Sequence, residues 1–204
     1  MNEPAHPRVE VITQKLVYDG FFRIDAYTLR HHTYDGGWSP ELRVELLERG
    51  QTAVVLPYDP ERDAVVLIEQ FRIGAYACGL EPWLTETIAG TREDGEPAED
   101  TVHREADEEA GCVITKLEPI GTFLLSPGVC SEACAMFVGC VDSQGVGGIH
   151  GLAEEGEDIR VSVVAVDEAM ARVLGGEIPS VYGAIPMLWL GLNRERLRSQ
   201  WLTP

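Results

Sequence analysis

The sequence predicts an α/β sandwich. Short strand patterns rich in β-branched and aromatic residues are interleaved with helical ones. Turn clusters of Gly, Pro and Asp punctuate them. A chain of 204 residues, 45 % of them hydrophobic, is also long enough to bury one substantial core.

The elements follow in order. Residues 10–17, 22–31 and 42–48 read as three strands, the last two joined by the turn-rich Tyr34-Asp35-Gly36-Gly37. An antiparallel meander of that size buries little on its own, so 1–50 is expected to be a small N-terminal antiparallel β-sheet domain and 51–204 the main domain. Residues 52–57 and 64–71 form a hairpin around Asp59-Pro60-Glu61-Arg62-Asp63. A short strand at 85–89 feeds a helix at 97–110, and strands follow at 115–124 and 135–142. A Gly-rich acidic loop fills 143–157 before a strand at 159–166. Helices at 167–174 and 180–201 end the pattern, the first with Asp167 as N-cap.

Charge and cysteines narrow the function. The net charge of −18 disfavours nucleic acid and anionic membrane surfaces, which are bound through Lys and Arg clusters. An acidic site that handles phosphates must therefore recruit cations. The first fifteen residues lack the apolar core of a secretory signal, and no run approaches the ~20 apolar residues of a membrane span. Five cysteines without a CxxC pair support neither a disulfide framework nor a zinc site, and a reducing cytoplasm is the expected location. His31 and His32 sit beside a turn without partners at ligand spacing and read as surface residues.

The most specific segment is GTREDGEPAEDTVHREADEEAGC, residues 90–112. It fixes Gly90, Glu96, Arg104, Glu105, Glu108, Glu109 and Gly111 in one frame. With each of these residue types at roughly a tenth of composition, chance produces such a frame about once in ten million starts. Pro97 suits the first helical turn and Gly111 the left-handed end. Glu105, Glu108 and Glu109 fall at i, i+3 and i+4, so three carboxylates leave one helix face. Val102, Ala106 and Ala110 lie on a neighbouring stripe that can pack on a sheet. Three adjacent like charges need a positive partner, and a hard divalent cation such as Mg²⁺ takes carboxylate oxygens and substrate phosphates together. Arg104 is placed to orient a carboxylate through charge-assisted hydrogen bonds.

This segment resembles the signature box of the Nudix hydrolases, with Ala106 and Cys112 in place of larger aliphatic residues. The likeness runs from about Val9 to Trp201. QFRIGAY at 70–76, SPGVCSE at 126–132 and HGLAEEGEDIRV at 150–161 are similar to the ADP-ribose pyrophosphatase branch, with Val129-Cys130 where relatives read Gly-Thr. The resemblance implies a Nudix-type α/β/α sandwich with a mixed sheet, plus the small N-terminal antiparallel sheet, which exchanges partners across a homodimer. It implies Mg²⁺-dependent hydrolysis, with Mn²⁺ as an alternative ion, of the ADP-ribose diphosphate to AMP and ribose 5-phosphate. The partner is then a small nucleotide sugar.

Roles follow by the same resemblance. Glu105, Glu108, Glu109, Glu157 and the carbonyl of Ala89 are the metal ligands. Glu155 is the general base, and Arg104, Glu105 and Glu108 complete the catalytic set. Arg72 binds the diphosphate, suited to it by its planar guanidinium. Glu132 contacts adenine, and Phe21 or Phe22 stacks on it. Two alternatives stay open: a Nudix hydrolase of another nucleotide sugar such as GDP-mannose, and a non-catalytic nucleotide-binding sensor.

Overall fold

The computed structural model describes residues 6–152 and 156–203. The chain divides into two compact units, Met1–Gly50 with Leu124–Ala133, and Gln51–Phe123 with Cys134–Pro204. In the first, β1 (Val9–Asp19), β2 (Arg23–His31) and β3 (Leu42–Glu48) form a three-stranded antiparallel sheet in that order. β1 is exposed along its whole length, and two register shifts, between Val11 and Thr13 and between Leu16 and Tyr18, interrupt its ladder with β2. The buried carboxylate of Asp25 is matched by Arg23 at 2.7 Å and Gln14 at 2.8 Å. The outer edge of β3 holds the segment 124–133: Leu47 N–H donates to Val129 O at 2.8 Å and Ser131 N–H to Leu47 O at 3.0 Å.

The second unit is built on an eight-stranded sheet. Its strands are β4 (Gln51–Asp59), β5 (Ala64–Phe71), β6 (Trp83–Glu86), β7 (Ile88–Thr91), β8 (Lys116–Leu124), β9 (Ala133–Cys140), β10 (Gly148–His150) and β11 (Ile159–Ala165). The order is β10-β11-β5-β4-β9-β8, with β6 on β5 and β7 on β4. Helices α1 (Ile73–Ala77), α2 (Ala98–Ala110), α3 (Val166–Leu174) and α4 (Val181–Leu202) complete it.

Strand periodicity sends alternate side chains to opposite layers. Val66 and Ile68 of β5 pack with Val102, Ala106 and Ala110 of α2. Val65 and Leu67 pack instead with Ala169 of α3 and with Met187, Leu190 and Trp201 of α4. The result is the expected α/β/α sandwich. Its centre forks: β4 pairs with β5 at Tyr58↔Val65 and Asp59↔Ala64, with β7 at residues 52–55, and β5 takes β6 at residues 68–71.

Helix α2 forms where the small residues Ala98, Val102, Ala106 and Ala110 recur every fourth position and are all buried. Gly111 ends it in the left-handed region at φ 59°. There Cys112 N–H donates to Ala106 O at 2.8 Å and Gly111 N–H to Asp107 O at 2.9 Å, which satisfies the last carbonyls.

Several boundaries differ from the sequence expectation. Pro97 is the extended N-cap of α2 rather than a helical residue. The strand expected at 85–89 is two strands, broken at Thr87, whose hydroxyl donates to Tyr182 O at 2.8 Å. Helix α1 falls in a stretch between strands to which the sequence assigns no element, and the loop 143–157 contains β10, which pairs with β11. Asp167 is not an N-cap: β11 runs straight into α3, so Ala165 holds that position and Asp167 instead pairs with Arg194 at 2.5 Å. Among the described residues no helix is long and apolar enough to cross a membrane. None of the five cysteines is in a disulfide; Cys78 is exposed and the others are buried.

Candidate active site

The carboxylates of α2 meet the β7 strand. Glu109 is on the buried face of the helix at 3 % exposure, and its Oε2 accepts the Ala89 N–H at 3.1 Å. Glu105 lies one turn earlier, and a Cβ on Gly90 would stand 1.8 Å from its Oε1. The glycine therefore keeps open the space that the carboxylate fills. Arg104 donates to Glu105 at 2.8 Å and Glu108 at 3.0 Å, with Glu96 at 3.5 Å. Glu96 also accepts the Glu93 N–H at 2.9 Å, which holds its carboxyl below the ordinary range and folds the entry to the helix. The signature glutamates thus divide into one buried against the strand, two held by Arg104 and one closing the loop.

Burial raises Glu105 to about 7 against the opposing pull of Arg104, with Glu108 and Glu157 adding like-charge repulsion. Burial likewise raises Glu109 to about 8, the Ala89 N–H opposing it and the charges of Glu105 and Glu157 adding to it. These carboxylates are crowded and short of positive charge. Glu157 stands just before β11, its own carboxylate accepting the Leu152 N–H at 3.1 Å and its Cβ pressing toward Gly151.

Arg72 caps α1, and its Nε donates to Oε2 of Glu86 at 2.6 Å. Its charge also reaches Glu109, whose carboxyl it pulls back down. In the second unit Glu109 touches Ala89, Arg104 touches Glu105 and Glu108, and Arg72 and Glu157 reach Glu109 through their charges. Glu86, buried at 3 % exposure, was missed. Its one sequence signal is a glutamate inside the β-prone run Leu84-Thr85-Glu86-Thr87-Ile88.

Glu155 lies outside the described residues. Phe21, Phe22 and Glu132 belong to the first unit: Phe21 is 93 % exposed and stacks edge-on against Phe22, Arg49 covers the Phe22 ring at 5.4 Å, and Glu132 is buried. An exposed phenylalanine ring is available for stacking, unlike the core position that Phe most often takes.

Among the described residues no three His, Cys, Asp or Glu side chains are gathered in a ligating arrangement. Glu105 and Glu108 turn to Arg104, Glu109 to Ala89 and Glu157 to Leu152. The donor set still fits a hard divalent cation. It is all oxygen, two members are desolvated and mutually repelling, and Gly90 leaves room for Glu105.

The chain is similar to known proteins over nearly its whole length. The chain is 47 % identical to the ADP-ribose pyrophosphatase of Escherichia coli K12, over 95 % of this chain and 92 % of that one. It is 40 % identical to the ADP-ribose pyrophosphatase of Haemophilus influenzae, over 95 % and 90 % of the two chains. A solved structure described as an ADP compounds hydrolase superposes with a TM-score of 0.72 at 16 % identity, covering 96 % of this chain and 97 % of that one, which shows the shared fold. The model of the NUDIX domain matches residues 48–181, a span that takes in the fork, α2 and the Glu157 loop, and the chain belongs to the NUDIX domain family.

Proposed function

We propose that this chain hydrolyses the diphosphate of ADP-ribose to AMP and ribose 5-phosphate, with Mg²⁺ as cofactor and Mn²⁺ as a substitute. The observation that carries the reading is the pair of desolvated carboxylates, Glu105 held by Arg104 and Glu109 within reach of the Arg72 charge. The named activity of relatives that match over nearly the whole chain supplies the substrate.

Glu105, Glu109, Glu108, Glu157 and the Ala89 carbonyl would hold the cations. Bound there, divalent cations screen the diphosphate, polarise a phosphoryl oxygen and lower the pKa of a water. Arg104 fixes the carboxylates of Glu105 and Glu108 in place. Arg72 offers two N–H groups to diphosphate oxygens. Glu155 takes a proton from the attacking water, whose oxygen bonds to one phosphorus while the bridging oxygen leaves with the other phosphate. Glu132 and Phe21 or Phe22 hold the adenine. Residues 1–50 act as a dimerisation domain exchanged between two copies, and the protein works in the cytoplasm.

The test is release of mononucleotide from ADP-ribose, ADP-glucose, GDP-mannose, NADH and diadenosine polyphosphates, each with Mg²⁺ and with chelator. Metal-dependent AMP from ADP-ribose ahead of the others is expected. Preference for GDP-mannose would move the substrate, and no hydrolysis of any would replace the enzyme by a nucleotide sensor.

A further inference from the structure

Gln70 lies on β5 between Ile68 and Arg72. The backbone remains extended through Arg72, at φ −127° and ψ 109°, so all three side chains fall on the face toward α2. Across the ladder Glu86 stands opposite Ile68 and Leu84 opposite Gln70, and Arg72 N–H donates to Pro82 O at 2.7 Å. Glu86 is therefore one diagonal step from Gln70 and two from Arg72. Diagonal neighbours are within reach of long side chains. Glu86 nevertheless takes the more distant Arg72, at 2.6 Å. Gln70, only 7 % exposed, is left with its Nε2 buried and without a hydrogen-bond partner among the described residues.

A buried amide donor with no acceptor costs stability, and a buried carboxylate stripped of its partner costs more. Each problem is the solution of the other once Arg72 moves. We infer that Gln70 is the relief partner of Glu86: when Arg72 turns from Glu86 to the substrate diphosphate, the Gln70 amide donates to the vacated carboxylate. This rests on Arg72 being the diphosphate arm of the proposed function. Gln70 is then a positioning residue. It lowers the cost of releasing Arg72 and touches no substrate atom.

The experiment compares wild type, Gln70→Met, Glu86→Gln and the double variant, using ADP-ribose with Mg²⁺ for kcat and KM and thermal melting of the metal-free full chain. Gln70→Leu is the second variant if methionine disturbs packing. Gln70→Met is expected to raise KM about tenfold with kcat within about twofold, because binding and not chemistry carries the exchange. Its metal-free melting temperature should be no lower than that of wild type, since the donor removed had no partner. In the Glu86→Gln background, where no buried charge needs relief, the same substitution should change KM less than about twofold. An unchanged KM in Gln70→Met overturns the inference. So does a tenfold loss that persists in the Glu86→Gln background, which would put Gln70 directly on the ligand. If Arg72→Ala leaves the wild-type KM unaltered, the diphosphate reading of Arg72 fails and the exchange with it.

Discussion

Replacing Gly90 by alanine tests the site at its tightest point. Gly90 is opposite Ala53 in the β7–β4 ladder and has no left-handed backbone, so alanine suits the strand itself. The conflict is with Glu105: the new Cβ would stand 1.8 Å from Oε1, 2.1 Å from Cδ and 2.3 Å from Cγ, whereas ordinary contact begins at 3.4 Å. The carboxylate must retreat about 1.6 Å, far enough to break its 2.8 Å bond from Arg104. That ion pair is partly exposed, so after solvent screening its loss costs on the order of 1 kcal/mol, or roughly 2–4 °C in Tm for a chain of this size. A catalytic group displaced by about 1 Å costs about a hundredfold. We therefore expect kcat/KM for ADP-ribose to fall by about a hundredfold or more, with a higher Mg²⁺ requirement and a melting temperature lowered by only a few degrees. The assay is AMP release across a Mg²⁺ titration, with melting in parallel. Wild-type kcat/KM would refute the placement of Glu105, and a collapse in Tm of more than about 10 °C would show that the strand and not the side chain yields.

Other substitutions probe the remaining parts. Glu109→Gln should cut turnover by at least about a hundredfold, the several kcal/mol a bound cation supplies, while metal-free melting does not fall, because a neutral amide replaces a desolvated carboxylate; unchanged turnover removes Glu109 from the metal set. Glu155→Gln should lower kcat about 10²–10⁴-fold with little effect on KM, and a pure KM defect would move the base to another residue. Asp59 is buried, which opposes ionisation, yet N–H groups of Arg62 and Ser143, the Ser143 hydroxyl and the Arg62 guanidinium hold its carboxyl well below the ordinary value. Because its folded pKa is depressed, it stabilises the protein above its unfolded value near 3.8 and that contribution is lost as the pH falls further. Asp59→Asn should thus lose about 1.5–3 kcal/mol at pH 7 and show a flatter loss of stability between pH 4 and 2, read by denaturant unfolding at each pH; parallel acid limbs would contradict it. Sedimentation should give twice 22.4 kDa, and a fully active monomer would rule out the exchanged dimer as the working form.

The helix at 98–110 is legible because local rules agree there: the four-residue repeat of small residues, Gly111 at the end and the acidic i, i+3, i+4 set all specify one helix. The purpose of Gly90 is not, since it depends on a side chain fifteen residues away. Helix α1 spans five residues and β10 three, too short for any periodicity to register. Thr87 splits a strand because its hydroxyl is claimed by Tyr182, at a separation of 95 residues. Glu86 reads as a misfit in a β-prone run because its partner, Arg72, lies just past the end of the neighbouring strand. Asp167 has the chemistry of a cap, but strand and helix abut without a linker, and that junction leaves no trace in composition.

The fork at the centre of the larger sheet acts as a ruler. Glu86, which holds the cationic arm, ends β6 on one prong, and Ala89, which holds Glu109, lies in β7 on the other. Three extended residues span at most about 10 Å, so the separation of the two handles is set by covalent bonds and anchored by the fully buried Thr87 between them. On the proposed function, such a gauge would be indifferent to what hangs from either end of the diphosphate. A lineage can exchange one sugar or base for another through peripheral segments, whereas one residue inserted between 86 and 89 would miscalibrate the gap for every substrate at once.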